Sequence, residues 1–481
     1  MNNARLVPIL VPLSALLALA GCGKQPVHQT TPRTINDFSR LNATVIHSLQ
    51  TPASYQELQD ILQFATKNNL KISLAGSRHS QGGQAFYPGA IVISLRKLNK
   101  VLALDAQQKL ITVQTGATWK EIQEFLQPHG LAVKIMQFAN LFTVGGSLSV
   151  NCNGIDPHCG PFIESVRSLK ILCADDKIRT ASRTEHPELF SAAIGGYGLM
   201  GIIVEATLEV VEDSFYKREN LLLSLPEYVK LLKTVGQDPQ IGFHFAFVTF
   251  SLTGTQLFSK VAAFNFKKVD TAKWRRKHPR KRHLFQESFV DIHRISVGLW
   301  AQHKFYKALH WVPEGLRHGE VISRNNIMRP PASHLYVELP KSTNLLQEYF
   351  IPVDNLMSFV TAVEYITQKL NHNLMHMAFR FIPKNTESLL SYTSTDVAGV
   401  VLFFNQPLTP EGNEQTQRWT RYLIDTAIKL GGRHYFPIQL HATKEQVRQA
   451  YPQIDKFFRL KRKYDPKEMF ANCFYAQYGV R

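Results

Sequence analysis

Cysteine is scarce in this chain, and internal repeats and low-complexity tracts are absent. The 481 residues include five cysteines, none in a CxxC pair, which excludes a disulfide scaffold and gives no zinc or other metal site. The four cysteines beyond the N-terminus are predicted to be buried free thiols, with one disulfide as the alternative: Cys152, Cys159, Cys173 and Cys473. A composition of 44% hydrophobic and 19% charged residues excludes a mainly disordered chain. The length predicts two or three domains of ~100–200 residues each.

An uncharged apolar run follows Arg5 and covers residues 6–20. It is shorter than the ~20 residues that a membrane-spanning helix needs, and it is typical of the apolar region of a secretory signal. The run ends in Leu19-Ala20-Gly21-Cys22, which resembles a bacterial lipobox. Residues 1–21 are therefore predicted to be a lipoprotein signal peptide and Cys22 the lipidated residue. The alternative is a plain anchor helix with a chance cysteine.

The lipobox predicts a membrane-anchored lipoprotein on the periplasmic face. Two or three acyl chains give lasting attachment, whereas one chain binds only marginally. Gly23 follows the cysteine in place of Asp, which favours the outer membrane. Residues 22–41 are polar and contain Pro and Thr, so they are predicted to form a tether.

Positive charge predominates, with 55 Lys and Arg against 37 Asp and Glu, which predicts an anionic partner or surface. A basic insert over residues 267–283 holds nine Lys or Arg and one acid, Asp270. One interpretation is a solvated loop, the usual state of a charge run. The other is contact with an anionic membrane surface, which the predicted tether and the amphipathic segment 292–311 favour. Nucleic acid is not expected as a partner in the periplasm.

Short strands and helices alternate over residues 42–213. Two capping boxes, Ser54 with Glu57 and Thr118 with Glu121, predict helices that run to about residues 68 and 127. Strands are predicted over residues 71–75, 110–114, 166–172 and 202–211. The pattern predicts an α+β domain with a mixed sheet.

Glycine-rich segments occur at three places. Residues 196–201 match GxGxxG by spacing, but a helical pattern precedes them and a β-branched strand follows, so a Rossmann fingerprint is rejected. The segment Ala-Gly-Ser-Arg-His-Ser-Gln-Gly-Gly-Gln at 75–84 follows a strand, and the consecutive N–H groups of such a loop can wrap a diphosphate. Paired glycines at 145–146 permit close approach of the backbone to a ligand.

The order of these segments resembles the FAD-binding domain of the PCMH-type, or vanillyl-alcohol-oxidase-type, flavoproteins. The resemblance covers residues 42–211 and resumes at 347–352 (QEYFIP) and 464–472 (YDPKEMFAN). Within that family the chain is similar to the sugar-lactone oxidases and to decaprenylphosphoryl-ribose oxidase. The implied fold is α+β: a two-subdomain FAD domain over 42–213, a cap domain over 214–435 on an antiparallel sheet flanked by helices, and a segment over 436–481 that returns to the FAD domain.

The resemblance implies FAD as cofactor. In many members the first loop's histidine, here His79, bonds covalently to the flavin; the alternative is a histidine that only hydrogen-bonds phosphate. No cysteine occurs over 138–144, so a second covalent bond is excluded. The implied cofactor-binding residues are Gly76, Ser77, Arg78, His79, Ser80, Gln81, Thr143, Val144, Gly145, Gly146, Val150, Asn153, Gly154 and Ile202, with the diphosphate and ribityl chain held by main-chain donors of 76–81 and 143–146.

The resemblance also implies oxidation of a CH–OH group of a sugar, sugar lactone or polyol, with electrons passing to oxygen or another acceptor. Arg380, Tyr435 and His441 are the candidate catalytic residues. Relatives that oxidise polyols use a Glu-x-Arg pair and a lysine, but this chain has Ala378 and Ile438 at those positions. Two alternatives are therefore kept: an oxidase of a lipid-linked sugar at the membrane face, and a flavin-carrying lipoprotein for electron transfer or binding.

Overall fold

The computed structural model describes residues 32–250, 258–277, 317–329, 339–370 and 373–480. The predicted signal peptide, Cys22 and the rest of the tether to residue 31, residues 278–283 of the basic insert and the segment 292–311 lie outside the described residues. Within the described ranges, no helix has the length and apolar character needed to cross a membrane.

The first subdomain is built on a small parallel sheet. Strands β3 (Ser48–Gln50), β4 (Ile72–Ala75) and β5 (Ile91–Ser94) pair in the order β3-β5-β4. Helix α1 (Tyr55–Lys67) connects β3 to β4, and buries Leu58, Ile61, Leu62 and Ala65 at helical spacing. The predicted cap is confirmed at Ser54, whose side chain accepts from the Glu57 N–H.

The second subdomain is an antiparallel sheet of six strands in the order β10-β9-β11-β7-β6, with β8 beside the end of β11. The parallel and antiparallel strands thus form two separate sheets, so the predicted mixed sheet is wrong. The capping box of Thr118 and Glu121 is confirmed. The elements are β6 (Val101–Asp105), β7 (Leu110–Gln114), α2 (Trp119–Leu126), β8 (Leu131–Val133), α3 (Val144–Val150), β9 (Val166–Leu172), β10 (Ile178–Ser182), α4 (Pro187–Ala193) and β11 (Ile202–Glu212).

The cap is an eight-stranded antiparallel sheet in the order β15-β12-β14-β13-β17-β18-β16-β19. Its strands are β12 (Phe215–Leu223), β13 (Ile241–Phe250), β14 (Phe258–Lys268), β15 (Val321–Ser323), β16 (Ser342–Pro352), β17 (Leu374–Ile382), β18 (Val397–Pro407) and β19 (Arg433–His434). Its helices are α5 (Leu225–Val235), α6 (Thr271–Lys277), α7 (Arg324–Ile327), α8 (Leu356–Lys369) and α9 (Pro410–Lys429). The predicted α+β fold, with a cap on an antiparallel sheet flanked by helices, is confirmed.

The C-terminal segment contacts the FAD domain. After α10 (Lys444–Ala450) and α11 (Ile454–Tyr464), residues 469–471 run parallel to β4, with Ile72 N–H donating to Met469 O at 2.8 Å. Asp465 is buried against Lys461 and accepts from the N–H groups of Met469 and Phe470. This carboxylate fixes the strand-like segment beside β4, before α12 (Cys473–Tyr478) ends the described chain.

The predicted tether extends too far. Strands β1 (Arg33–Ile35) and β2 (Thr44–Ile46) pair with each other, so the chain is folded from Arg33 onward. Asp37 is 6% exposed, and its carboxylate accepts from the Gly83 N–H at 2.9 Å. A buried carboxylate needs hydrogen-bond partners, and Asp37 finds one in the loop after β4. Residues 33–41 therefore pack as part of the FAD domain.

Candidate functional site

A cavity of about 490 Å³ lies between the FAD domain and the inner face of the cap sheet. Its walls combine the loop after β4, helix α3 and side chains from β13, β16 and β17. Most of the predicted cofactor-binding residues line it: Gly76, Ser77, Arg78, His79, Ser80, Gln81, Thr143, Gly145, Gly146, Val150 and Asn153. The two glycine-rich segments, far apart in sequence, therefore meet at one site.

The loop after β4 presents unused backbone donors. The N–H groups of Ser77, Arg78 and Ser80 donate to no residue in the described ranges. Arg78 has a φ of 59°, in the left-handed region, which is a backbone conformation from which anion-binding concavities are built. A Cβ on Gly76 would lie 2.3 Å from Thr143 Oγ1, so the two loops touch only because glycine is present.

The second loop uses its backbone donors internally. Val144 N–H donates to Ala117 O at 2.9 Å, Gly145 N–H to Thr115 O at 2.8 Å, and Gly146 N–H to Thr143 Oγ1 at 3.1 Å. The prediction that the N–H groups of residues 144–146 bind the diphosphate or ribityl chain is therefore wrong. These three N–H groups lie at the start of α3 and bind it to the turn before α2. The loop therefore presents glycine backbone to the cavity at close range, but not hydrogen-bond donors.

His79 lies in an aromatic setting on the cavity wall. Its ring stacks on Phe38 at 5.8 Å and meets the edge of Phe142 at 4.9 Å between centroids. Burial, and secondly the charge of Arg78, lower the pKa of His79 to about 4. The imidazole is therefore neutral at neutral pH, which is the form that can act as a nucleophile.

Gln81 lines the cavity but fastens the loop. Its N–H donates to Pro437 O at 3.0 Å and its Oε1 accepts from the Leu346 N–H at 2.8 Å. Its carbonyl oxygen accepts from Asn42 Nδ2 at 2.8 Å and from Gln439 Nε2. Gln81 thus joins the cofactor loop to β16 and to the C-terminal segment.

A carboxylate, a guanidinium and an amide meet on the cap side of the cavity. Arg380 Nη1 donates to Asn153 Oδ1 at 2.9 Å, and Asn153 Nδ2 donates to Glu348 Oε1 at 3.3 Å. The Arg380 Nε and Glu348 Oε1 atoms are 4.0 Å apart, with side-chain exposures of 18% and 13%. Burial raises the pKa of Glu348, and the Arg380 charge and the Asn153 hydrogen bond partly oppose that rise.

Tyr435 lines the cavity, but its hydroxyl is already used. It donates to Val150 O at 2.8 Å, and the neighbouring Tyr392 hydroxyl donates to Asn151 O at 2.6 Å. Burial raises the pKa of Tyr435 well above its ordinary value. The two tyrosines hold the C-terminal end of α3 against the cap sheet, so Tyr435 is a positioning residue in this geometry.

Four predicted residues do not line the cavity. His441 lies in a separate surface groove and its carbonyl oxygen accepts from Arg421, so the prediction that it contacts substrate is wrong. The Ile202 side chain packs into a core with Leu172, whereas the flanking residues 201 and 203 reach the cavity. Val144 is buried in the main core, and Gly154 packs on the Met136 backbone.

Two features of the cavity were not predicted. Glu348 lies inside the QEYFIP segment, but nothing local to that segment indicates that it would reach Arg380 across the sheet. The cap side of the cavity is also strongly aromatic, with His376 among its lining residues. The aromatic wall consists of Phe245, Phe247, Phe266 and Phe403 of the cap together with Phe138 of the FAD domain. Alternating apolar residues in a strand are equally expected of an ordinary core, so sequence alone does not assign them to a site.

The fold and the cavity together define a flavin-nucleotide-binding oxidoreductase. The loop after β4 has unused backbone N–H donors, a glycine at its contact with the second loop, and a neutral histidine on the cavity wall. Together these features fit the diphosphate and the flavin of FAD. FAD, when bound, supplies the acceptor for two electrons and a hydrogen. Residues 76–80 would hold its diphosphate, while Val150 and Asn153 would lie along the flavin.

Comparison with known proteins agrees with this class. Residues 48–182 match the family described as FAD binding domain, and residues 255–478 match D-arabinono-1,4-lactone oxidase. The chain is 24% identical to decaprenylphosphoryl-beta-D-ribose oxidase of Mycolicibacterium smegmatis, over 92% of this chain and 96% of that protein. It is 21% identical to L-gulonolactone oxidase of Bos taurus, over 88% and 93%. It is also 31% identical to L-galactono-1,4-lactone dehydrogenase 2 of Oryza sativa, over 37% and 30%.

The chain belongs to the PCMH-type FAD-binding flavoproteins, and it is an FAD-dependent oxidoreductase. The predicted family and the predicted cofactor are confirmed.

The contact between Gly76 and Thr143 gives a test of the cofactor site. Gly76→Ala should lower the flavin bound per chain at least several-fold, because the new methyl group would press the loop away from Thr143 Oγ1. The flavin-to-protein absorbance ratio of purified protein measures the effect. Thr143→Ala removes that oxygen, so Gly76→Ala should cost clearly less in the Thr143→Ala background. Equal losses in both backgrounds would show that the contact is unimportant.

Proposed function

We propose that the protein oxidises a CH–OH group of a sugar, sugar lactone or polyol, with hydride passing to N5 of the flavin and electrons then to oxygen or another acceptor. The observation that carries this proposal is the shared cavity, in which the diphosphate loop and the polar cluster of Arg380, Asn153 and Glu348 face one space. The names of the similar proteins, a ribose oxidase and two lactone enzymes, support the same substrate chemistry.

Arg380 is the residue that would orient the substrate. Its side chain is 18% exposed and lines the cavity, and a partly desolvated guanidinium donates strongly to hydroxyl or lactone oxygens. The aromatic wall excludes water from the reacting carbon and narrows the space in which the C–H bond can lie. Tyr435 would contribute indirectly, because it fixes the end of α3 that carries Asn153.

The aromatic wall favours a second candidate, a sugar linked to an apolar chain. Phe245, Phe247 and Phe266 extend from Ala378 across β13 and β14 and give this end of the cavity a large apolar surface. An apolar substituent would gain roughly 25 cal/mol for each Å² it buries there. Such a substrate would be oxidised by the same polar cluster.

A substrate panel tests the function. The flavin absorbance of the purified protein should bleach on anaerobic mixing with at least one aldonolactone, alditol or lipid-linked sugar. Bleaching by the soluble sugars alone supports the first candidate, and bleaching only by the lipid-linked sugar supports the second. If no member of the panel bleaches a flavin that dithionite does reduce, a flavin-carrying electron-transfer or binding protein replaces both.

We further propose that His79 is bonded to the flavin. Its neutral ring on the cavity wall supports this, since the neutral imidazole is the form that can attack the flavin methyl carbon.

The covalent bond is tested by acid precipitation. Flavin should remain in the pellet of the parent protein and move to the supernatant of His79→Ala. His47→Ala is the control, because His47 does not line the cavity and should keep its flavin in the pellet. Flavin retained in the pellet of His79→Ala would contradict the assignment.

We also propose that the chain is a lipoprotein anchored at Cys22 on the periplasmic face, and that the basic insert touches an anionic membrane. Helix α6 supports the second point. Trp274 stacks on Phe215 at 4.1 Å, and Arg275 Nη2 donates to Asp213 O at 2.8 Å, so the helix is fastened to the protein. Its remaining cations are exposed: Lys273, Arg276 and Lys277.

Vesicle binding tests the membrane contact, with Cys22→Ser in every protein so that acylation plays no part. Reversing Lys273, Arg276 and Lys277 to Glu should weaken binding to phosphatidylglycerol vesicles by at least roughly 100-fold, at ~1 kcal/mol for each cation. The same reversal at exposed Lys456, Arg459 and Lys467 is the charge-matched control and should cost much less. Equal losses of vesicle binding in the two triple variants would show that net charge, and not helix α6, determines the binding. Palmitate labelling of the parent protein, and its loss in Cys22→Ser, tests the anchor.

A further inference from the structure

We propose that Glu348 accepts the substrate's hydroxyl proton, and that Arg380 and Asn153 hold its carboxylate in position. The inference rests on the proposed oxidation. It supplies the acidic group that this chain lacks at Ala378, the position where relatives that oxidise polyols carry glutamate.

The sheet geometry brings Glu348 to Arg380 through a gap in the strand between them. Strands β16 and β17 both pair with β18, and Gly399 of β18 lies opposite Arg380. A Cβ on Gly399 would lie 3.3 Å from both Arg380 Cγ and Glu348 Oε1. A side chain at this position would crowd both groups, so glycine lets the carboxylate and the guanidinium approach each other.

The two oxygens of the carboxylate differ in their surroundings. Oε1 accepts from Asn153 Nδ2 and is the atom 4.0 Å from Arg380 Nε. The side-chain hydrogen bond of Glu348 in the described ranges goes to Oε1 and none goes to Oε2, and Glu348 lines the cavity. One oxygen therefore fixes the group, and the other faces the space where a substrate hydroxyl would bind.

The reaction balances with this assignment. The substrate O–H and C–H bonds break and a C=O bond forms. The proton goes to Glu348 Oε2, and the hydrogen with two electrons goes to FAD, which this family provides. A general base works best when its pKa lies near the operating pH, and burial moves the pKa of Glu348 upward.

Of the titratable groups in the described ranges that face Glu348, Arg380 is the one that is charged near pH 7. They are Arg380, Cys152, Tyr392, Tyr435 and Tyr451, and burial raises the pKa of the thiol and of all three phenols. These four groups are neutral near pH 7. The other candidate bases are less well placed, since the Tyr435 hydroxyl donates to Val150 O and His376 contacts the Phe247 ring at the aromatic end.

Glu348→Gln is the decisive variant, because the amide keeps an acceptor for Asn153. We expect kcat to fall roughly 100- to 10,000-fold with little change in KM or bound flavin. The parent's kcat should fall as the pH drops through the pKa of Glu348, since only the carboxylate accepts a proton, and this acidic limb should vanish in the variant. Infrared difference spectra give a readout independent of turnover: a carboxyl band that titrates in the parent and is missing from Glu348→Gln.

If Glu348 had a purely structural role, Glu348→Gln should unfold at a lower temperature than the parent. A base whose pKa is raised by folding instead costs the protein stability as the pH rises through that pKa. The neutral amide should then unfold at the same or a higher temperature than the parent at pH 8. Adding Ala378→Glu to Glu348→Gln should restore at least tenfold of the lost kcat, because residue 378 lies on the same strand face as Arg380.

The outcomes separate the two proposals. A Glu348→Gln protein with parental kcat and an unchanged acidic limb overturns the role of Glu348 and leaves the oxidation intact. A loss of kcat accompanied by a lower unfolding temperature, with no recovery from Ala378→Glu, also overturns it. A parent protein that no CH–OH substrate reduces overturns the proposed function and this inference together.

Discussion

The site depends on the loop after β4. Hydrogen bonds from other segments fix this loop, so that part of its backbone N–H groups remain available to a ligand in the cavity. Gln84 Nε2 donates to the carbonyl oxygens of Phe436 at 2.6 Å and Ile438 at 2.8 Å. The Asp37 carboxylate accepts from Gly83, and Gln81 donates to Pro437. A glycine-rich loop left alone would lose much conformational entropy on closing around a diphosphate. Here hydrogen bonds to Asp37 and to the C-terminal segment fix the loop during folding, and the N–H groups of Ser77, Arg78 and Ser80 donate to no residue in the described ranges.

The same set of hydrogen bonds also positions the cap side of the cavity. Gln81 Oε1 accepts from Leu346, two residues before Glu348 on β16, and the Tyr435 N–H donates to Glu348 O at 2.9 Å. The loop that would carry the diphosphate and the strand that carries the carboxylate are therefore fixed to each other directly. Hydride transfer requires the reacting carbon and the acceptor to be within contact, so a displacement of about 1 Å is costly. A direct connection between cofactor loop and base limits such displacements.

Local sequence patterns predicted the local structure well, because caps and turns depend on neighbouring residues. The caps at Ser54 and Thr118, the loop after β4 and the rejection of the GxGxxG segment needed no long-range information. The errors have a common physical origin in non-local pairing. The N–H groups of residues 144–146 are used by Thr115, Ala117 and Thr143, His441 turns into a different groove, and Glu348 reaches Arg380 only through the register of β16, β18 and β17. Strand register over such distances is not encoded in the pattern of any one segment.

The position of the carboxylate on β16 has a consequence that a glutamate at residue 378 would not have. A buried carboxylate and guanidinium are desolvated together, and the pair is tolerated only when further hydrogen bonds satisfy them. At residue 348 the carboxylate gains Asn153, which follows α3, and its strand is bonded to Gln81 of the cofactor loop. At residue 378 it would share a strand with Arg380 but have no direct bond to that loop. Placing the base on β16 therefore couples its orientation to both glycine-rich segments, so that correct packing of the cofactor loops and correct placement of the base become one structural requirement.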